Sequence, residues 1–186
     1  WVSRFVKRRV HREPEVEACV KIEDPIIETV TEEWDEEHLA HYIKVADEFV
    51  QWYENHRKDK KATPLQLLLA RIGAVEGACN IPQRNGVNQR IWTGGVTSKQ
   101  RAVVREAVGM VRNGHKVVCF AHSPRMLDIL QKSIEEQGVE TVMFNGEVPS
   151  KRRHDDLDLR FREGSAGVLL ASYGCAQAGL DLYQAD

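Results

Sequence analysis

Apolar residues change rhythm near residue 98. Before it they recur at three- and four-residue spacings. Leu39, Tyr42, Ile43, Ala46, Phe49, Val50 and Tyr53 mark one face of a helix whose start Asp35 can cap. Thr63 and Pro64, as N-cap and first helical residue, open a second helix with the face Leu65, Leu68, Leu69, Ile72 and Val75. The stretch NIPQRNGVNQRIWTGGVTS, residues 80–98, is rich in Gly, Asn and Pro and has no period, which predicts a loop. After it, short apolar runs alternate with amphipathic helices. Ser98 is placed to cap a helix that carries Val103, Val104, Ala107 and Val111 and stops at Gly114. KVVCFAH then reads as a buried strand. Ser123-Pro124 starts a helix with Leu127, Leu130 and Ile134 that ends at Gly138, and TVMFNG is the next strand. Pro149 begins a helix running through Leu157 and Phe161 to Gly164, and GVLLAS is the third strand. Strands alternating with helices predict an α/β fold with right-handed crossovers and a parallel sheet. Runs this uniformly apolar predict strands covered on both faces. The expected organisation is a mainly helical extension over 1–97 followed by the sheet domain over 98–186.

In a parallel sheet of this kind, ligands gather at the carboxyl ends of the strands. That singles out Ala121-His122-Ser123, then Asn145-Gly146, then Ser172 to Asp181. The last loop holds Gly174, Ala176, Ala178 and Gly179, so few large side chains shield its backbone. Exposed amides near a helix start bind phosphate oxygens. Ser172 and Tyr173 add hydroxyls, Ser123 sits at a helix N-terminus, and Arg153 brings a charge one turn into the helix after Gly146. Each has a plainer reading: Ser123 as a simple cap, Arg153 as a surface arginine, the Ala/Gly loop as a tight turn. Together, three phosphate-sized sites on one edge suit a polyphosphate or a nucleic-acid backbone.

Composition narrows the picture only in part. The 186 residues suffice for one domain, or one with an appendage, and the net charge of -2 names no partner. Charge is unevenly spread: Arg4, Lys7, Arg8, Arg9 and Arg12 make a basic start, Glu13 to Glu37 is acidic, and Lys151, Arg152 and Arg153 form a second basic spot. Such runs serve equally as solvated faces. No apolar stretch approaches the roughly 20 residues that span a bilayer, so no membrane partner is expected. The four cysteines are scattered without a CxxC pair, and Cys119 lies inside an apolar run. That usage predicts a reduced, intracellular protein; the compartment expected is the nucleus if eukaryotic and the cytoplasm if bacterial or viral. DEEH, Asp35 to His38, spells a DExH box, yet the box needs a buried strand before it, and Thr31-Glu32-Glu33-Trp34 stands there. His38 and His41, spaced i, i+3, have no third ligand nearby and read as exposed helix histidines, so no metal site is expected.

Six stretches, in order, resemble the Swi/Snf family of superfamily 2 helicase-like ATPases. FVKRRV, with Arg8-Arg9, is similar to the family's step out of the first lobe, and ETVTEEWDEEHLAHYIKVADEF to the segment and helix that follow. LLLARIGAVEGACNIPQ resembles a helix ending in Cys-Asn-x-Pro, here Cys79, Asn80 and Pro82. KVVCFAHSPRMLDIL resembles motif IV, FNGEVPSKRR the Gly…Arg stretch through Gly146 and Arg153, and LLASYGCAQAGLDLYQAD motif V. The resemblance implies DNA translocases built of two RecA-like lobes, with this chain supplying the second, C-terminal lobe. Carried over by position, it implies DNA-backbone contacts at His122, Ser123, Gly146, Arg153, Ser172 and Tyr173, and nucleotide contacts at Gly179 and Asp181. It implies double-stranded DNA and an N-terminal RecA-like lobe as partners, and ATP with magnesium as cofactors of the full-length protein. The chain departs from the family's usual residues at Asp181 (Asn), at Ala176 and Gln177 (Gly) and at Ala121-His122 (Ser-Gln). Asp181 matches other superfamily 2 helicases, so an RNA-directed or unwinding helicase stands as an alternative, as does a non-catalytic docking module.

The match starts after the first lobe and stops before motif VI. It therefore includes no Gly-x-x-x-x-Gly-Lys-Ser/Thr loop, no genuine acidic box and no motif VI arginine. Hydrolysis needs phosphate cradle, metal and arginine together, so no catalytic residue and no cofactor are assigned to the chain alone. The 186-residue chain is expected to release no phosphate from ATP above the buffer rate. Steady turnover by the pure chain in a phosphate-release assay would refute this.

Overall fold

The computed structural model describes residues 14, 26–58, 65–83, 92, 94–176, 180, 182 and 185. Residues 1–31 and 32–186 form two compact units. Of the first, residues 26–31 run without regular structure and expose Ile26, Ile27 and Val30. The second holds six helices among its described residues: α1 (Glu36–Lys58), α2 (Leu65–Asn80), α3 (Ser98–Arg112), α4 (Pro124–Glu135), α5 (Ser150–Asp156) and α6 (Tyr173–Ala176). Between them run β1 (Val117–Ala121), β2 (Thr141–Phe144) and β3 (Val168–Ser172), and α5 widens into a π-helical stretch, Leu157–Arg162. Residues 80–98 contribute no strand among those described, as the Gly/Asn/Pro content predicts, whereas Thr63 and Pro64 lie outside the described residues.

The three strands form a parallel sheet in the order β1-β3-β2. Last in sequence, β3 is central in space, and Val168 stands opposite both Val117 and Thr141. Its side chains alternate between faces. Val168 and Leu170 join Ala107, Val108, Leu127, Leu130 and Ile134 beneath α3 and α4. Leu169 and Ala171 join Val142, Phe144, Leu157, Phe161 and Ala166 on the other side. Both faces of β3 are thus covered. The same expectation fails at the end of β1, where Phe120 is 43% exposed. β1 is a sheet edge, and Phe120 lies on the Val118 face, with the Tyr173 ring stacked on it.

Chain reversals follow the backbone chemistry. Gly114 (φ 93°) and Gly138 (φ 77°) end α3 and α4 in the left-handed region, which suits glycine. At Gly167 the reason is space: a Cβ there would stand 2.5 Å from Val111 Cγ1, so glycine lets the start of β3 run close against α3. Lys116 donates to the carbonyls of Phe161 and, at 2.9 Å, Gly164, closing the π-helical end.

The start of α3 differs by one residue from expectation. Thr97, not Ser98, is the N-cap: its Oγ1 accepts from the Gln100 amide (3.4 Å), and Gln100 Oε1 accepts from the Thr97 amide (3.0 Å). This capping box needs its two members three apart, which Thr97 and Gln100 satisfy and Ser98 does not. Ser98 becomes the first helical residue, and its amide donates to Asp35 Oδ2 at 2.6 Å. Asp35 stands at the start of α1, where its carbonyl accepts from Leu39. Its carboxylate, however, caps α3 and pairs with Arg101, while Glu32 pairs with Arg105 at 2.5 Å. This explains the DEEH sequence as helix-start chemistry.

The long helices α1 and α2 pack on each other along a stripe rotated from the predicted one. Leu39, Ile43, Val50 and Tyr53 are exposed, as are Leu65, Leu69 and Ile72 of α2. Rings cluster beside this contact: Trp34, just ahead of α1 and itself exposed, lies 4.7 Å from His38 and 5.1 Å from Tyr42, and Arg71 reaches over Trp52 at 4.9 Å. His38 is correspondingly buried, 2% exposed, and not an exposed histidine. Its Nε2 lies 2.8 Å from the Ala78 carbonyl, so it ties α1 to the end of α2.

Hydrogen bonding to Arg101 holds the Asp35 carboxyl below the usual aspartate range. A depressed pKa contributes stability that is complete above the unfolded-state value and lost as pH falls through the folded one. Asp35→Ala is expected to lower unfolding free energy by about 1 kcal/mol at neutral pH, the scale of a lost cap. The deficit should shrink at an acid pH below the depressed folded value, where the wild-type carboxyl has itself taken up a proton and lost its charge pairing with Arg101. Urea titrations of both proteins at the two pH values check this, and equal stability at neutral pH would count against the cap.

Candidate nucleic-acid interface

Parallel register brings the predicted residues to one rim. Ala121 stands opposite Ser172, and Phe144 opposite Ala171, so His122 and Tyr173 leave the sheet at the same level and Asn145 one residue before them. After β1 the chain turns at Ser123 into α4. Ser123 occupies the N-cap position with extended backbone (φ -95°, ψ 123°), but its hydroxyl makes no capping bond. Pro124 supplies the helical φ at the first position, so the helix starts without that bond. The His122 and Tyr173 rings lie 4.5 Å apart, and Phe120 stacks on Tyr173 at 5.5 Å. Both Phe120 and Tyr173 are exposed.

These side chains line one wall of a groove of about 1030 Å³. Its other wall is α2, through Gly73, Gly77 and Asn80, with Lys99 from the start of α3. Lys99 Nζ donates to Asn80 Oδ1 at 2.5 Å. A Cβ added at Gly73 or Gly77 would meet nothing within 4 Å, so that wall is open. The Cys119 thiol is also in the groove, and burial pushes it up to about 11, which leaves it protonated and a poor nucleophile. Among the described residues no group of three His, Cys, Asp or Glu is placed to hold a metal.

The second strand end is built differently. Asn145 is buried, and its Oδ1 accepts from the amides of Glu147 (3.0 Å) and Val148 (3.2 Å), folding the turn that exposes Gly146. Arg153 points back into this turn. Its Nη1 donates to the Asn145 carbonyl (2.8 Å) and to Cys175 Sγ (2.9 Å), and its guanidinium lies over the Phe144 ring at 5.3 Å. Ser172 ends β3, 6% exposed. Gly179 and Asp181 lie outside the described residues.

Three of the predicted residues, His122, Ser123 and Tyr173, therefore share the groove, while Gly146, Arg153 and Ser172 lie along the same rim beside it. Sequence reasoning missed Cys175 as the partner of Arg153, Phe120 as an exposed ring, and Lys99 with α2 as the facing wall. Asn145 had a signal, since Asn before Gly at a strand end commonly bonds its own turn. Cys175 had none.

No family model matches the chain. Among solved structures, the Sulfolobus solfataricus SWI2/SNF2 ATPase C-terminal domain superposes over 80% of this chain and 64% of its own, with TM-score 0.59 and 18% identity. The C-terminal part of the Fun30 ATPase domain superposes over 82% and 70%, with TM-score 0.63 and 14% identity. The chain has the fold of a Swi2/Snf2 ATPase C-terminal domain. The parallel sheet with flanking helices is that RecA-like fold, as the ordered motifs lead one to expect. Two curated proteins of Arabidopsis thaliana align with part of it. Switch 2 is 31% identical over 88 residues, 47% of this chain and 10% of that protein. The ATP-dependent DNA helicase DDM1 is 30% identical over 93 residues, 50% of this chain and 12% of that protein. The aligned part is thus a small share of either relative. For this Swi2/Snf2-like lobe, the unspent Ser123 hydroxyl gives a direct test. Ser123→Ala is expected to change unfolding free energy by less than about 0.5 kcal/mol, against about 1 for a working serine cap. A full capping loss in urea titration would show that the hydroxyl belongs to the helix and not to a ligand.

Proposed function

We propose that this chain is the second ATPase lobe of an ATP-dependent DNA translocase, supplying backbone contacts to duplex DNA and one wall of an ATP cleft. The reading keeps the division into an inter-lobe and helical extension, 1–97, and the lobe proper, 98–186. It is supported chiefly by one observation: three parallel strand ends open on a single rim, where a serine hydroxyl is left unspent by its own helix. His122, Ser123, Gly146, Ser172 and Tyr173 are the candidate contacts. Contacts to phosphate and sugar position a protein without reading bases, which suits movement along any sequence. The similarity to DDM1, an ATP-dependent DNA helicase, favours DNA over RNA.

In this reading the lobe meets an N-terminal RecA-like partner across the rim. ATP with magnesium would bind between the two, and Gly179 and Asp181, carried over by position in motif V, would be the nucleotide contacts. When bound, the nucleotide supplies the energy that makes closure and reopening directional. This chain's share is to present the loop after β3 to both ligands, so that a change on one side is felt on the other. The protein is placed in the compartment that holds its DNA, and among the described residues no helix is long and apolar enough to cross a membrane.

Fluorescence anisotropy with labelled duplexes tests the reading. The chain alone is expected to bind with a dissociation constant on the order of 10–100 μM, the scale of non-specific binding. Unrelated duplexes should bind alike, and His122→Ala and Tyr173→Ala should each weaken binding severalfold. Strong discrimination between duplexes, or preference for duplex RNA, would overturn it.

A further inference from the structure

Arg153 is the only arginine the motif comparison assigns to DNA, yet its guanidinium is engaged inside the protein. A helical side chain leans toward the N-terminus of its helix. From the first turns of α5, Arg153 therefore reaches back over the end of β2. One nitrogen, Nη1, serves two acceptors on two different segments: the carbonyl of Asn145 at 2.8 Å and Sγ of Cys175 at 2.9 Å. The cation lies over Phe144, itself 1% exposed, and its Nε is out of contact with solvent without a partner. This is the position of a group packed within the fold and not of one extended toward a polymer.

The segment it holds cannot hold itself. α6 is four residues, Tyr173–Ala176, too short to be stable as a helix alone. Its glycine, Gly174, adds freedom. The turn at Gly146 comes close to it, since a Cβ there would lie 3.8 Å from Cys175 Sγ. Arg153 thus joins the turn after β2 to the loop after β3, and Tyr173 stands two residues from the joined sulfur.

We propose that Arg153 is a positioning residue, a brace that fixes the loop after β3 against the end of β2, and that it does not itself neutralise a DNA phosphate. Its consequence for DNA rests on the function proposed above; the brace itself does not. Lysine cannot replace it, because an ammonium lacks the planar fork that lies over a ring while its nitrogens point sideways to acceptors.

Two measurements on the full 186-residue chain decide the matter, using Arg153→Lys, Arg153→Ala and Cys175→Ala. By hydrogen exchange, both arginine variants should speed the amides of Ser172–Ala176 by about fivefold or more, with β1 and α4 unchanged. Cys175→Ala should move the same amides in the same direction, by less. By DNA anisotropy across a salt series, both arginine variants should weaken binding by similar factors and leave the slope of log K against log salt unaltered. Arg153→Lys binding like wild type, or Arg153→Ala reducing the slope by about 0.9, would mean that Arg153 meets a phosphate, and would overturn the brace. Unchanged exchange in all three variants would overturn it as well. If the wild-type chain bound no DNA, the proposed function would fall, and the exchange result would still decide the brace. If Arg153→Ala does not fold, Arg153→Lys and Cys175→Ala carry both readouts.

Discussion

Parallel pairing on both sides of β3 is the constraint from which the rest follows. A strand between two parallel neighbours must be apolar on both faces, because helical crossovers cover each of them. Val168 to Ala171 meet that demand with no exposed surface at all. Parallel register also fixes direction: once Val168 stands level with Val117 and Thr141, the three following loops must emerge on one rim. An antiparallel neighbour would send one of those loops to the opposite end. The rim is therefore a consequence of how the core is buried.

A second interaction sets what faces that rim. The start of α3 gathers Thr97, Gln100 and the carboxylate of Asp35, which comes from the far side of residues 80–96. Helix amides left unpaired at an N-terminus must find acceptors, and here one acceptor is supplied by the beginning of α1. Gln100 also exchanges hydrogen bonds with Gln83 at 3.0 Å and donates to the Asn80 carbonyl at 3.3 Å. The end of α2 is thereby held beside the lobe, and Gly73 and Gly77 become the groove's second wall. Lys99 adds a cation at that junction, although its bond to Asn80 draws it toward the protein.

What the chain discloses without coordinates depends on whether a residue answers to its neighbours in sequence or to those in space. Strand positions in KVVCFAH, TVMFNG and GVLLAS are legible because burial on both faces leaves continuous apolar runs. Gly114 and Gly138 are legible because a left-handed residue must follow the last helical turn. The stripe on α1 is legible only in part, since Tyr42 falls on the predicted face whereas His38, a ring with polar atoms, does not register in a hydrophobic pattern. His38 looks like a surface residue until the Ala78 carbonyl arrives from 40 positions away. The rim is legible as a place, through the rule about strand ends. The partners on it are not, because Arg153 finds Cys175 across 22 positions and no local pattern encodes that meeting.

Under the proposed function, such a division of labour would have a physical logic for a lobe that steps along a polymer. A charge pressed on a phosphate binds tightly in every register and must be released at each step. Hydroxyls and amides bind more weakly and depend strongly on geometry. Their grip can then be made or broken by a small shift of the loop that carries them. That design demands a loop whose position is well defined within each state, and a four-residue helix containing a glycine does not define its own. Placing Arg153 behind the loop, on a backbone carbonyl and a sulfur, would provide that definition. In the proposed brace the arginine would act on binding through geometry, its charge stabilised within the fold by the aromatic face of Phe144 and the two acceptors it joins.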